Sequence, residues 1–120
     1  MHLIGLTDLL RDDSQFQAVH DRLSRSDSLD WNIIRSARSF VIATIARDWK
    51  APIIVLTGTG RRTYNIVEQL PVWLENTDRI YRFAEPTPMF YDRLPWDKTV
   101  IQERIDTLQA LLYADESQTQ

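Results

Sequence analysis

Asn32, Ala37, Arg38 and Ser39 fall at the spacing of a phosphate-binding loop, G-x-x-x-x-G-K-[ST], from which most of the chemistry has been removed. In such a loop the glycines let backbone N–H groups close around phosphates. The lysine meets the outer phosphates and the hydroxyl holds Mg²⁺. Here Asn32 and Ala37 replace the glycines and Arg38 replaces the lysine, so the Ser39 hydroxyl and a cation survive but both glycines are gone. Ala37 adds a Cβ where the backbone must approach phosphate. A planar guanidinium does not stand in for a compact ammonium. These residues predict a nucleotide-binding fold whose nucleotide site is worn away, with no cofactor, no metal and no catalytic residue.

A second stretch, Thr57-Gly58-Thr59-Gly60-Arg61-Arg62-Thr63, imitates a phosphate loop. Its spacing fails: with Gly60 as the second glycine, the first would fall at Val55, and the lysine position is Arg61. It is expected to be a turn into a helix with Thr59 as N-cap. Arg61 and Arg62 could touch a phosphate backbone. Phe90, Tyr91 and Trp96 lie in a proline-braced stretch and form a candidate contact surface with those arginines. No Ser/His/Asp group and no H-E-x-x-H is present, and the carboxylates are scattered as on a solvated surface. An enzyme reading would have to use Arg38 and Ser39, with Glu85 alone as a Mg²⁺ partner at the end of a strand. A third reading is a small stand-alone interaction protein using the aromatics between Pro86 and Trp96.

The composition narrows the classes further. A length of 120 residues suits one domain, long enough to bury a core. The absence of cysteine excludes disulfides and thiolate metal sites, and His2 and His20 are too few for a histidine metal site without carboxylates. A net charge of −3 argues against a domain that binds polyanions over its whole surface. The start M-H-L-I-G-L lacks the basic region and apolar run of a signal peptide, and no run approaches the roughly 18 residues of a membrane span. A cytoplasmic protein without membrane contact is expected.

The elements that must position these residues follow from periodicity. Leu6, Leu9, Leu10, Phe16, Val19 and Leu23 have helical spacing, predicting a helix over about Thr7 to Arg22. Thr7 is its expected N-cap, with a break at Asp12-Asp13-Ser14. His20 lies beside that stripe and is expected to be a packed or half-exposed ring rather than a ligand. Leu29 to Ile34 reads as a short strand, Arg35 to Arg38 as the turn, and Ser39 to Trp49 as a helix ended by Ala51-Pro52. Ile53-Ile54-Val55-Leu56 is a continuous apolar run of the kind found in a parallel strand covered on both faces. A helix follows, kinked or ended by Pro71. Asp78 to Phe83 reads as a third strand. Thr99 with Gln102 suggests a capping box for a terminal helix carrying Val100, Ile101, Ile105, Leu108, Leu111 and Leu112. The expected architecture is a three-layer α/β/α domain with a mostly parallel sheet of about three or four strands. It divides into an N-terminal helical segment at 1–28, the α/β domain at 29–114 and a polar tail at 115–120.

From Phe83 to Leu112 the chain runs F-A-E-P-T-P-M-F-Y-D-R-L-P-W-D-K-T-V-I-Q-E-R-I-D-T-L-Q-A-L-L. This resembles the N-terminal segment of the bacterial transcription-repair coupling factor family, called Mfd. In that family an aromatic-and-proline stretch leads to Y-[ED]-R-L, and a helix follows with E-R-[LI] and spaced leucines. Tyr91, Asp92, Arg93, Leu94, Glu103, Arg104, Ile105 and Leu108 match in register without a gap. Ser36-Ala37-Arg38-Ser39 is similar to the family's degenerate loop, and the order of the earlier elements extends the likeness over nearly the whole chain. The chain departs from the family at Asn32, Ala37, Phe90 and the T-G-T-G stretch.

The resemblance implies a RecA-like, UvrB-like first subdomain with a degenerate phosphate loop and no ATPase activity. The parent would be an ATP-driven DNA translocase that dislodges stalled RNA polymerase and brings in excision repair through UvrA. Its UvrA-contacting surface would lie mainly in the next subdomain. This chain would act as a non-catalytic scaffold beside the UvrB-like subdomains that follow.

Overall fold

A computed structural model of the chain describes residues 3–86 and 95–116. Among these residues there is no β-strand, and the expected three-layer α/β/α architecture with its parallel sheet does not form. The elements are helices α1 (Ile4–Arg11), α2 (Ser14–Ser24), α3 (Arg38–Asp48), α4 (Gly60–Gln69) and α5 (Lys98–Glu116). Short 3₁₀ turns occur at Arg35–Ala37 and Leu70–Val72. The chain divides into two compact units, one of residues 1–50 and 68–78, the other of residues 51–67 and 79–120.

In the first unit the break between α1 and α2 falls at the paired aspartates. Asp13 Oδ1 accepts from the Gln15 and Phe16 N–H groups at 2.9 and 3.0 Å, so it caps α2. This satisfies two of the N–H groups that a helix start leaves unpaired. Thr7 is not a cap. It lies inside α1, fully buried, and donates its hydroxyl proton to the Ile4 carbonyl at 2.6 Å. The helix begins earlier than the sequence suggests because Leu3 is tied back, its N–H donating to the Val72 carbonyl at 2.8 Å. At its other end α2 closes with Ser26 in the left-handed region, φ 62°. The Ser26 and Asp27 N–H groups donate to the Leu23 and Arg22 carbonyls, a Schellman closure.

Helix α3 packs on α1 through small residues. Ala43 and Thr44 are fully buried, so the two backbones approach closely. Arg47 crosses that seam and donates to Thr7 Oγ1 and, at 2.8 Å, to Asp8 Oδ1. Arg11 forks onto both oxygens of Asp48 at 2.8 Å. The Asp48 hydrogen bond and charge raise the Arg11 guanidinium above its ordinary pKa. Phe16, Val41 and Leu70 supply buried apolar side chains. Phe16 faces Trp31 at 6.3 Å and His20 at 6.4 Å, and Phe40 faces Trp73 at 4.9 Å between ring centres. His20 is the packed ring expected of it, edge-on to Trp49 at 5.8 Å. Its Nε2 is buried with no hydrogen-bond partner among the described residues, at a cost of about 1–3 kcal/mol. Leu29 to Ile34, expected as a strand, is irregular chain ending in the 3₁₀ turn. Tertiary placement of Trp31 against Phe16 outweighs its local β preference.

In the second unit Ile53–Leu56 is exposed chain outside any helix, not a covered strand. The Asp78–Phe83 stretch also pairs with no strand. Its carbonyls at Arg82 and later at Ala84 accept from side chains of α5: Thr107 Oγ1 at 3.3 Å and Arg104 Nη1 at 2.8 Å. Helix side chains thus take acceptors that a sheet ladder would use. The start of α5 also differs from the expected capping box. Asp97 Oδ1 accepts from the Thr99 N–H at 2.7 Å, so the cap lies before Lys98, and Gln102 bonds Asp106 instead of reaching back. Pro71 ends α4 as expected, within the Leu70–Val72 turn.

Candidate functional site

The four residues of the degenerate loop fall in three different kinds of local structure. Asn32 lies in irregular chain, Ala37 in the 3₁₀ turn, and Arg38 opens α3 with its side chain exposed. Ser39 carries the decisive geometry. It is 2% exposed, and its hydroxyl donates to Gln69 Oε1 at 2.8 Å. A hydroxyl serving a Mg²⁺–phosphate site must face solvent and the ligand. Ser39 faces inward and fixes the start of α3 to the last residue of α4. Ser39→Ala is therefore expected to act on stability, lowering it by about 1–2 kcal/mol because Gln69 loses a buried partner. Urea unfolding followed by circular dichroism measures the change, and Ser39→Thr should recover part of it.

Arg61 and Arg62 lie in the first turn of α4 and are exposed. Thr59 caps that turn as expected: its Oγ1 accepts from the Arg62 N–H at 3.4 Å, and its carbonyl accepts from the Arg62 and Thr63 N–H groups. Two cations at a helix start are poorly placed for the helix dipole, which favours anions there. Of the aromatic surface, Phe90 and Tyr91 lie outside the described residues, as do Asp92, Arg93 and Leu94. Trp96 is described, and it is engaged rather than free. The Arg104 guanidinium lies 5.2 Å from its ring centre and 3.9 Å from that of Phe83. Arg104 thus ties the chain before α5 to the segment ending at Ala84.

A shallow open depression of about 450 Å³ is lined by Tyr64, Val67, Ile80, Tyr81, Arg82, Glu103 and Asp106. Of its charged residues, Arg82 and Glu103 form an ion pair and Asp106 is hydrogen-bonded. Arg82 forks onto Glu103 at 2.8 and 3.0 Å, and Asp106 accepts from Gln102 at 2.7 Å. An ion-paired carboxylate and an exposed, hydrogen-bonded one are not by themselves a poised acid, base or nucleophile. Among the described residues no group of His, Cys, Asp or Glu could hold a metal ion. Nor is any helix there long and apolar enough to cross a membrane.

The feature that sequence reasoning missed is the orientation of α5. Val100, Glu103, Arg104, Thr107, Ala110 and Ala114 form its half-buried face, which carries the contacts to Arg82, Phe83 and Ala84. Ile101, Ile105, Leu108 and Leu112 lie on the opposite face, all exposed, with Leu112 69% accessible. Their spacing of four, three and four residues is that of a helix–helix contact seam. That spacing was legible in the sequence. What it did not state is that Glu103, Arg104 and Thr107 find partners on their own chain, which leaves the apolar seam outward.

A scan against models of protein families and searches of characterised proteins and of solved structures found no match.

Proposed function

We propose that this chain is a non-catalytic interaction and scaffold subdomain of a transcription-repair coupling factor. The reading rests on the in-register likeness between Glu103 and Leu108 and their flanks, and on one observation of geometry. In that same segment α5 turns its Ile101–Ile105–Leu108–Leu112 seam outward while its polar face is engaged by its own chain. An apolar seam of this kind is a protein-binding feature. Its partners are the UvrB-like subdomains that follow in the parent protein. UvrA is reached mainly through the next subdomain, and RNA polymerase and DNA are partners of the parent as a whole, in the cytoplasm.

The competing reading, a divergent nucleotide-binding NTPase using Arg38 and Ser39, is opposed by the buried hydrogen bond from Ser39 to Gln69. Calorimetric titration with Mg-ATP and Mg-ADP separates the two. No heat is expected up to millimolar nucleotide. Micromolar binding that Ser39→Ala abolishes would restore the enzyme reading. Co-purification with the UvrB-like subdomains of a coupling factor should succeed and fail for Leu108→Asp, whereas capture of UvrA by this chain alone should be weak. Tight UvrA capture, or docking indifferent to Leu108→Asp, overturns the assignment of the seam.

A further inference from the structure

We propose that the open depression between α4, residues 80–82 and α5 is a docking site for an arginine side chain of a partner protein. Its walls all belong to the second unit: Tyr64 and Val67 from α4, Ile80, Tyr81 and Arg82 from the chain before α5, and Glu103 and Asp106 from α5. Tyr81 is 46% exposed and Tyr64 50%, so a group entering the depression meets aromatic surface. The lining holds one cation, Arg82, and two carboxylates. Arg82 is matched by Glu103, whose two oxygens both accept from it at 2.8 Å. Asp106 has no such match. Its Oδ1 accepts from the neutral Gln102 amide at 2.7 Å, and it forms no ion pair among the described residues. The depression therefore carries one uncompensated negative charge beside two tyrosines.

Aromatic surface next to an unmatched carboxylate takes up an organic cation. A phosphate-bearing ligand meets the wrong charge there. A small molecule needs most of its surface enclosed, and a depression this shallow does not enclose one. It suits a single long side chain, held in place by contacts that its own protein makes elsewhere. Arginine fits better than lysine. Its planar guanidinium lies flat on a tyrosine ring, presents parallel N–H groups to a carboxylate and is more weakly hydrated than an ammonium. Val67 and Ile80 offer apolar surface for its methylene stem. The same unit already holds one arginine in this way, Arg104 over the Phe83 ring at 3.9 Å. Helical spacing puts Glu103 and Asp106 on the flank of α5 away from the Ile101–Leu112 seam, so arginine capture and docking of the neighbouring subdomains use different surfaces.

Amide NMR spectra of the labelled full chain, titrated with N-acetyl-arginine amide, test the site. Saturable shifts are expected at residues 80–82 and 103–106, with the millimolar affinity that one side chain can supply. N-acetyl-citrulline amide has the same planar end without the charge and should leave those amides unmoved up to about 50 mM. N-acetyl-lysine amide should bind several-fold more weakly than the arginine probe. Asp106→Asn keeps the size and the Gln102 contact but removes the charge, and should weaken arginine binding at least about tenfold. Leu108→Asp, on the seam, should leave arginine binding unchanged, so loss of this site and loss of seam docking are read separately. No shift up to about 50 mM arginine probe overturns the proposal. So does equal binding of the citrulline or lysine probe, binding indifferent to Asp106→Asn, or shifts spread over acidic residues of the whole surface. If Asp106→Asn lowers the helical circular dichroism, Tyr81→Leu, which removes aromatic surface from outside any helix, is read by the same criteria, with several-fold weakening expected.

Discussion

Phe16→Ala should destabilise the first unit by about 3–5 kcal/mol, the largest effect expected of any single substitution in it. Phe16 is 3% exposed and is the largest side chain among the buried apolar residues of that unit. It follows directly from the Asp13 cap, whose Oδ1 accepts the Phe16 N–H itself, so its backbone is fixed where α2 starts. Its ring gathers Trp31 from the irregular chain and His20 from the next turns of α2. Truncation leaves a cavity and also removes the aromatic neighbour of a histidine whose Nε2 has no partner. Small domains are stable by only about 5–15 kcal/mol, so the loss is a large share of the total. Urea unfolding with tryptophan fluorescence and circular dichroism measures it. Trp31 should respond before the helical signal does, because it is held by packing against Phe16 rather than by helix hydrogen bonds. Phe16→Leu should cost less than half as much. Equal losses for Leu and Ala would mean that the ring packing contributes nothing beyond apolar burial.

The helices were legible because their signals are local. The stripe from Leu6 to Leu23, the Asp12-Asp13 break, the Thr59 cap and the Pro71 stop each depend on residues within a few positions of one another, and each occurs where the spacing places it. Thr7 and Thr99 were misread as caps for a related reason. A threonine near a helix start has the right chemistry, but only geometry decides whether Leu3, Asp97 or the threonine itself stands at the boundary. The sheet was expected and does not form among the described residues, because a strand is a statement about a neighbour. Ile53–Leu56 has the composition of a covered strand, yet nothing local states what covers it. The residues at 82 and 84 lend their carbonyls to α5 instead. The phosphate-loop reading stops at the same boundary. Loss of both glycines was visible in Asn32 and Ala37, but the inward turn of the surviving hydroxyl depends on Gln69, thirty residues away.

Arg104→Ala should release the chain on both sides of α5's first turns, and its effect should be local. One guanidinium makes three contacts: it donates to the Ala84 carbonyl at 2.8 Å, covers the Phe83 ring at 3.9 Å and reaches the Trp96 ring at 5.2 Å. A hydrogen bond from a charged donor contributes about 1.5–3 kcal/mol, and each cation–π contact about 0.5–2 kcal/mol. The contacts share one side chain and one desolvation cost, so they do not add. A loss of about 2–3 kcal/mol is expected for the attachment of residues 80–86 to α5. The helix itself should persist, because Asp97 still caps it and Arg82 still grips Glu103. Amide exchange should therefore quicken at residues 80–86 while α5 stays protected, and Trp96 fluorescence should shift toward that of a solvated indole. Arg104→Lys keeps the charge but not the planar fork, so it should restore the bond to Ala84 and only part of the ring contact. Because the outward seam is held in place by what α5 grips on its other face, docking through Leu108 should weaken in Arg104→Ala as well. A variant whose residues 80–86 loosen while docking is unchanged would show that the seam is presented by α5 alone.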